Sequence, residues 1–278
     1  MTICVGMLAT DGIVIAADAL ESGTYLSRPV QKIMTWRAHN PNAIAKDSAA
    51  CVVAGAGDGG FIDAFTMELI DGVSGDMTMT DFESHVRETL RSFYATHVAP
   101  ALYVNVDHDF RVLIGAAFGM PNPRMFLSYK STLRPVTELC TSIGIGCEYA
   151  NQWKDFFPFS DVRHTELSAA AIVSRVKECV RGCGKYTDIV SLHNHQIIPD
   201  ETCGSRLIPP NELIHHVPSV WISQWEQSFS TVWKAKQANL YAQLIEDTLK
   251  PLTHQRSEDQ QQPCGGVYQQ TGPTDPGD

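Results

Sequence analysis

Clusters of basic residues are missing from this sequence, which argues against nucleic acid as a partner. The 278 residues include 21 Lys and Arg against 31 Asp and Glu, so the formal net charge is −10. Proteins that bind nucleic acid neutralise its phosphates with basic patches or stripes. The sequence contains no such stripe, and we therefore predict that neither DNA nor RNA is a partner.

Long apolar runs are also missing, and no stretch approaches the roughly 20 apolar residues of a membrane-spanning helix. The opening run MTICVGMLA has no positive region before it and is interrupted by the turn residues Thr10, Asp11 and Gly12, unlike a secretory signal. The eight cysteines have no framework spacing, which favours reduced thiols over disulfides. The sequence predicts a cytoplasmic protein with no membrane partner.

The hydrophobic pattern alternates between strand and helix periods. TICVGMLA and GIVIAADA flank the turn and predict a hairpin, and AACVVAGAG predicts a buried strand. Helical periodicity follows in DGGFIDAFTMELIDGV and in TDFESHVRETLRSFYATHV, where Thr80 and Glu83 have capping-box spacing. CEYANQWKDFF and TELSAAAIVSRVKECVRG predict two later helices. Strand pairs followed by two helices, twice over, indicate an α+β fold with two sheets between helical layers.

Three regions of different composition predict the domain organisation. Residues 1–217 contain the strand and helix pattern, and 218–250 form an amphipathic helical extension. Trp221, Trp225 and Trp233 recur in that extension at helical spacing and predict a docking surface against the core or a neighbouring subunit. Residues 251–278 are rich in Gln, Pro, Gly and Asp and predict a disordered tail.

Thr2 is the first candidate for a catalytic residue. Removal of Met1 would free its α-amino group, whose reference pKa is about 7.7–8, so that one residue would hold both a hydroxyl nucleophile and a base. Threonine is also common after an initiator methionine and favours strands, so Thr2 alone carries little weight.

Asp18, Lys32 and Gly55 add the groups that such a nucleophile needs. A cation lowers the relevant pKa values, and an anion holds the cation in place. Asp18 ends the second predicted strand, and Lys32 begins the next one. The amide of Gly55 could donate to an oxyanion. Alternatively, Gly55 and Gly57 simply permit a tight turn from strand to helix.

The segments TICVGMLATDGIVIAADA, QKIM and VVAGAGD resemble the start of proteasome β-type subunits and their bacterial relatives, the HslV peptidase and the Anbu proteins. TICVG is most similar to the Anbu form. The resemblance is strong over residues 1–60, weaker to residue 200 and weak beyond. It implies a four-layer αββα sandwich of the N-terminal-nucleophile hydrolase type, without a metal or organic cofactor.

Carried over by position, the resemblance implies that Thr2 is the nucleophile, Asp18 and Lys32 the supporting pair, and Gly55 the oxyanion donor. It also implies an apolar pocket beside the scissile bond, formed by three residues: Val30, Met34 and Val53. The expected activity is that of a threonine-type peptidase acting on peptides or unfolded proteins inside a homo-oligomeric ring or stack. The resemblance does not identify an unfoldase partner.

The chain departs from the family pattern at three places. It reads DAL from Asp18 where the family commonly has DSR, and GIG around Ile145 where the family has GSG. The late aspartate of the family has no clear counterpart, because Asp188 is displaced. These family residues orient the terminal amine, so a catalytically weak or inactive assembly protein is a second hypothesis. A small-molecule amidase with the same nucleophile is a third.

Two further sets of residues carry weaker hypotheses. Cys179 and Cys183 are one helical turn apart, and His193 and His195 share one strand face, which makes a zinc site conceivable. The spacing matches no standard zinc module, so we expect buried thiols and edge histidines, and no metal. Cys4 is a weaker candidate nucleophile than Thr2, because nothing suggests cleavage after Ile3.

Overall fold

The computed structural model describes residues 2–22, 27–38, 49–102, 110–118, 122–154, 160–193, 213–232 and 234–235. The strands in these ranges are β1 (Ile3–Ala9), β2 (Gly12–Asp18), β3 (Leu20–Ser22), β4 (Ser27–Pro29), β5 (Ile33–Ala38), β6 (Ala49–Gly57), β7 (Phe110–Ala117), β8 (Arg124–Tyr129), β9 (Thr132–Pro135), β10 (Cys140–Gly144), β11 (Thr187–His193) and β12 (Ile214–His216). The helices are α1 (Gly59–Asp71), α2 (Met79–Phe93), α3 (Ala99–Leu102), α4 (Cys147–Trp153) and α5 (Val162–Cys179), and the π-helical turn Tyr94–Val98 joins α2 to α3.

Two antiparallel sheets form the centre of the fold. The first sheet has the strand order β10-β1-β2-β11-β12, and the second has the order β5-β6-β7-β8-β9. β3 and β4 form a separate two-stranded ribbon. The predicted opening hairpin is confirmed, because β1 and β2 pair from Ala9 opposite Gly12 to Cys4 opposite Ala17.

Both faces of each sheet are buried, as the sequence pattern of β2 illustrates. Val14 and Ala16 pack with α5, while Ile13 and Ile15 pack against the second sheet. Strand side chains alternate between faces, so an almost wholly apolar strand must be covered on both sides. Each fully buried aliphatic side chain of this size contributes about 1.5–3 kcal/mol of hydrophobic free energy.

Three hydrophobic clusters separate four layers. The first lies between α1, α2 and the second sheet and contains a group of stacked and edge-on phenylalanines: Phe65, Phe82, Phe93, Phe110 and Phe118. The second cluster lies between the two sheets, and the third lies between the first sheet and the helices α4 and α5. The four-layer αββα sandwich is therefore confirmed.

The three long helices α1, α2 and α5 begin where side chains satisfy free backbone amides. Asp58 caps α1, and Asp161 caps α5. The capping box of α2 is formed by Thr78 and Asp81. Our prediction from Thr80 was therefore two residues too late. The helix starts earlier because Met79 is buried in the first hydrophobic cluster.

Residues 1–228 form one compact unit, and residues 229–278 form a second unit. Helix covers 219–232, and Trp225 packs against the cluster beneath α5 while Trp221 is exposed. Trp233 and the predicted tail 251–278 lie outside the described residues. The predicted boundary at residues 217 and 218 stays a prediction. No helix in the described part of the chain is long and apolar enough to cross a membrane.

Candidate active site

Thr2 lies immediately before β1 and is buried at the edge of a cleft. β1 pairs with β10, which places Ile3 opposite Gly144. Gly144 has a φ of +97°, and a Cβ atom there would lie 2.1 Å from the carbonyl oxygen of Thr2. Glycine at position 144 therefore allows the backbone of Thr2 to approach the end of β10. Met1 lies outside the described residues.

Asp18 connects the residue after Thr2 to a distant loop. Its carboxylate is fully buried, and Oδ1 accepts a hydrogen bond from the amide of Ile3 at 3.0 Å. Oδ2 accepts from the amide of Gly184 at 2.9 Å, in the loop after α5. Oδ1 also accepts from Lys32 Nζ at 2.8 Å. A buried charge is tolerable when it is paired and hydrogen-bonded in this way.

Lys32 is held in the position that the sequence predicts, beside Asp18. Its side chain is 7% exposed, and Nζ also donates to the carbonyl of Leu20 at 2.5 Å. An ammonium has three hydrogens, and these two described acceptors use two of them. The third hydrogen can donate to a further acceptor. The structure thus brings Asp18, Lys32 and the backbone next to Thr2 together.

The cleft beside Thr2 has a volume of about 410 Å³, within the range of small-molecule and peptide-side-chain pockets. It lies between the ends of β6 and β10 and the start of β7. Its lining residues are Thr2, Ala56, Gly57, Phe110, Arg111, Gly144, Ile145 and Cys147. Phe110, Arg111 and Cys147 were not predicted as site residues from the sequence, because no motif marks them. The lining combines apolar side chains with one exposed cation.

Gly55 and Gly57 have different structural roles. A Cβ atom at Gly55 would lie 2.3 Å from Ile62 Cγ2, and the carbonyl of Gly55 accepts a hydrogen bond from the thiol of Cys4 at 3.3 Å. Gly57 has a φ of +120° at the end of β6, just before Asp58 caps α1. Close packing and the strand-to-helix turn thus require these glycines. The oxyanion role of Gly55 stays a prediction.

The three residues predicted to form an apolar pocket lie outside the lining of this cleft. Val53 is buried in the cluster that faces α1 and α2, and Met34, its partner in the β5–β6 ladder, packs against the same cluster. Val30 is half-buried, and its amide donates to the carbonyl of Ala19. Their role beside the scissile bond stays a prediction.

Two buried thiols lie in the electrostatic environment of Asp18 and Lys32. Burial, with a smaller contribution from the negative charge of Asp18, raises the pKa of Cys183 to about 11, although the positive charge of Lys32 acts in the lowering direction. Burial also raises the pKa of Cys4 well above its ordinary value, and the positive charge of Lys32 offsets only part of that shift. Both thiols are protonated at neutral pH, so neither is an activated nucleophile.

Asp188 lies on β11, opposite Ala17 of β2. Burial raises the pKa of its carboxyl, while the positive charges of His216 and Lys32 act in the lowering direction. Asp188, which is displaced in sequence from the late aspartate of the family, is therefore within electrostatic reach of Lys32.

Comparisons with known proteins give a structural likeness without a sequence match. No protein-family model and no curated protein sequence matches the chain at a significant level. The solved structure of the helical assembly of the Anbu complex from Pseudomonas aeruginosa is 18% identical, with a TM-score of 0.64, and the alignment covers 85% of this chain and 96% of that one.

Two other Anbu structures are similarly related. Anbu (ancestral beta-subunit) from Yersinia bercovieri is 14% identical, with a TM-score of 0.64 and coverage of 87% of this chain and 97% of that one. The Gly-1 mutant of Anbu from Hyphomicrobium sp. strain MC1 is 15% identical, with a TM-score of 0.63 and coverage of 86% and 97%. At these identities the likeness shows the fold alone, which is the four-layer αββα sandwich of the N-terminal-nucleophile hydrolase type.

Replacement of Gly144 should loosen the backbone around Thr2. We expect Gly144→Ala to lower the free energy of unfolding by about 1–3 kcal/mol, because an L-residue at this positive φ is strained and its Cβ meets the carbonyl of Thr2. Urea denaturation measures the change. Gly60→Ala is the control, because its Cβ would meet only Asp58 Oδ1 at 3.3 Å. Equal stability of Gly144→Ala and the wild type would contradict the packing described for Gly144.

Asp188 should make stability depend on pH. Because burial raises the pKa of its carboxyl in the folded state, the native protein binds this proton more tightly than the unfolded chain does. Stability therefore falls as the pH rises from the unfolded pKa, about 3.9, through the raised native value. Asp188→Asn removes this ionisation. The free energy of unfolding of the variant should therefore rise relative to that of the wild type as the pH increases from about 4 to about 7.

Urea denaturation at several pH values measures this effect. Asp63→Asn, at an exposed position on α1, is the control for the loss of one negative charge. A gain for Asp188→Asn that stays constant over this range, or that shrinks with rising pH, would show that burial does not dominate the ionisation of Asp188.

Proposed function

We propose that this protein is a threonine-type N-terminal-nucleophile hydrolase that cleaves amide bonds in peptides, with Thr2 as the nucleophile after removal of Met1. The observation that carries this proposal is the buried pair of Asp18 and Lys32. The carboxylate of this pair also accepts a hydrogen bond from the amide of Ile3, the residue that follows Thr2. The Anbu-like fold and the cleft beside Thr2 support it.

The first chemical step is acylation of the threonine. Thr2 Oγ attacks the substrate carbonyl, and its proton passes, through water, to the free α-amino group of Thr2. An α-amino group has a pKa near neutrality, so a useful fraction is unprotonated and can act as the base. Lys32 supplies positive charge near this reaction, and Asp18 orients Lys32 by accepting one of its hydrogens.

The second step releases the products. The carbon–nitrogen bond of the tetrahedral intermediate breaks, and the leaving amine takes the proton held by the α-amino group. Water then attacks the ester formed with Thr2 Oγ and regenerates the hydroxyl. We assign stabilisation of the oxyanion to the amide of Gly55, with Lys32 as the nearby cation.

The substrate class follows from the surroundings of Thr2. We infer from the family resemblance alone that Val30, Met34 and Val53 form an apolar pocket beside the scissile bond. We infer from the structure that the cleft lined by Phe110 and Arg111 receives another part of an extended peptide. Apolar walls with few polar groups are typical of such sites. The preferred substrate is therefore an unfolded chain with an apolar side chain next to the cleaved bond.

We propose that the hydrolase works as a homo-oligomer in the cytoplasm. The helical assembly of the Anbu complex from Pseudomonas aeruginosa supports a ring or stack built from copies of this chain. The buried free thiols Cys4, Cys51 and Cys183 agree with a reducing compartment.

A second candidate function is that of an assembly protein with weak or no catalysis, and Ile145 favours it. The residue is 52% exposed and lines the cleft beside Thr2. The family that the sequence resembles has a serine at this position. An isoleucine cannot donate or accept the hydrogen bond by which a serine would orient the terminal amine. An amidase for small molecules, with the same nucleophile, is the third candidate.

The nucleophile can be tested with variants of Thr2. We expect the intact mass of the untagged protein to show loss of Met1, and a threonine-directed electrophile to label Thr2. Thr2→Ala should reduce peptide hydrolysis by about 10⁴-fold or more, because it removes the attacking hydroxyl. Thr2→Ser should retain measurable activity, because it keeps both the hydroxyl and the amine. Fluorogenic peptides with apolar and charged side chains before the cleaved bond test the substrate class.

Retention of Met1, together with no labelling and no hydrolysis, would reject the peptidase and leave the assembly protein. Cleavage of small acyl amides without cleavage of peptides or casein would instead identify the amidase.

The exposed isoleucine can be tested independently. If the missing hydroxyl limits turnover, Ile145→Ser should raise kcat by up to about tenfold, the value of one ordinary hydrogen bond. Leu139→Ser is a matched control, because Leu139 is also exposed and does not line the cleft. An unchanged kcat in Ile145→Ser, or an equal rise in both variants, would show that Ile145 does not limit the reaction.

A further inference from the structure

Three side chains of metal-ligating type meet at one end of the first sheet. Glu166 comes from the second turn of α5, His193 from the end of β11, and His215 from the middle of β12. Their candidate ligand atoms all lie within 4.8 Å of one another. Among the described residues, no other set of three or more histidine, cysteine or carboxylate side chains forms such a group.

The spacing within the group suits a small ion. His215 Nδ1 lies 3.2 Å from Glu166 Oε1. Ligands about 2.0–2.1 Å from a tetrahedral zinc ion are separated by about 3.3 Å, so this pair already has the required separation. Ser191 Oγ donates to Glu166 Oε1 at 2.7 Å and lies 3.3 Å from His193 Nε2. Ser191 therefore links Glu166 to His193.

The backbone of three elements holds these side chains in place. His215 lies opposite Ser191 in the β11–β12 ladder, and the amide of His193 donates to the carbonyl of Leu213. The carboxylate of Glu166 is buried, whereas the side chain of His215 is 41% exposed. The group therefore combines a buried anion with a histidine that solvent can reach, which leaves an entry path for an ion.

This group is separate from the candidate active site. On β2, Gly12 pairs with His193, and Asp18 pairs with Thr187. The six residue steps between Gly12 and Asp18 correspond to about 20 Å along an extended strand. Glu166, His193 and His215 therefore lie at the opposite end of the sheet from Asp18 and Lys32.

We propose that Glu166, His193 and His215 bind one divalent transition-metal ion of the zinc type. Two imidazoles and one carboxylate are a donor set that suits Zn²⁺ and neighbouring ions, with water in the fourth position. The ion ties the three-residue edge strand β12 to β11 and α5. It serves the stability of this end of the sheet and goes beyond the hydrolysis assigned to Thr2.

The site differs from the cysteine–histidine site considered from the sequence. Cys179 is exposed and Cys183 lies in the environment of Asp18, and neither belongs to the group. His195 lies outside the described residues. Only His193 is common to both sets. The competing interpretation is a hydrogen-bonded network of Ser191, Glu166 and the two histidines that needs no ion.

Calorimetric titration of the chelator-treated full chain with Zn²⁺ tests the proposal. We expect saturable binding of one equivalent. His193→Ala, His215→Ala and Glu166→Gln should each weaken the affinity by at least about tenfold, because each removes one ligand. His216→Ala is the matched control and should leave the affinity unchanged, because adjacent strand residues point to opposite faces. Mg²⁺ should show no comparable binding, because it prefers oxygen ligands.

Thermal unfolding followed by circular dichroism provides a second readout that is independent of hydrolytic activity. Zn²⁺ should raise the Tm of the wild type and of His216→Ala, and should leave that of the His193→Ala/His215→Ala double variant unchanged. Absence of saturable binding, or unchanged affinity in both histidine variants, would overturn the site. A thiolate-to-metal band in the Co²⁺ spectrum would overturn it as well, because the ion would then be on a cysteine.

Discussion

The buried carboxylate of Asp18 is the interaction on which the candidate active site depends. It receives hydrogen bonds from Lys32 Nζ and from the amides of Ile3 and Gly184. These donors come from three separate parts of the chain, so their arrangement requires β1 paired with β2, the segment before β5 and the loop after α5. Removal of one partner from a buried charge pair is costly, since the remaining charge is left without compensation. The same carboxylate therefore links the stability of the fold to the position of Lys32.

The two-sided burial of both sheets provides the rigid frame for this arrangement. β2 is buried along its whole length, with one face against α5 and the other against the second sheet. A strand in such surroundings cannot slip by one residue without exchanging its two packed faces. Functional side chains at its ends are thus held at fixed separations. Asp18 marks the end that holds the candidate active site, and Gly12, opposite His193, marks the proposed metal end.

Local periodicity predicted much of this architecture before any tertiary information was available. The opening hairpin, the buried strand β6 and the helices α1, α2 and α5 were recognisable because strands and helices impose different periods on apolar residues. The beginning of α2 was placed two residues too late, because two threonine–acid pairs overlap there and burial of Met79 decides between them. The resemblance to the proteasome-like family implied that Asp18 and Lys32 form a pair, and the structure places Lys32 Nζ 2.8 Å from Asp18 Oδ1.

The sequence by itself determined the alternation of elements, the buried character of their strands and the pairing of neighbouring residues such as those of the first hairpin. Only the tertiary structure decided which distant residues meet. Gly184 donates to Asp18 across 166 positions. Phe110 at the start of β7 and Ile145 in the turn after β10 line the same cleft. Glu166 meets His215 across 49 positions. Contacts of this kind depend on strand order, register and helix docking, which arise from the packing of the whole core and leave no periodic signal in the chain.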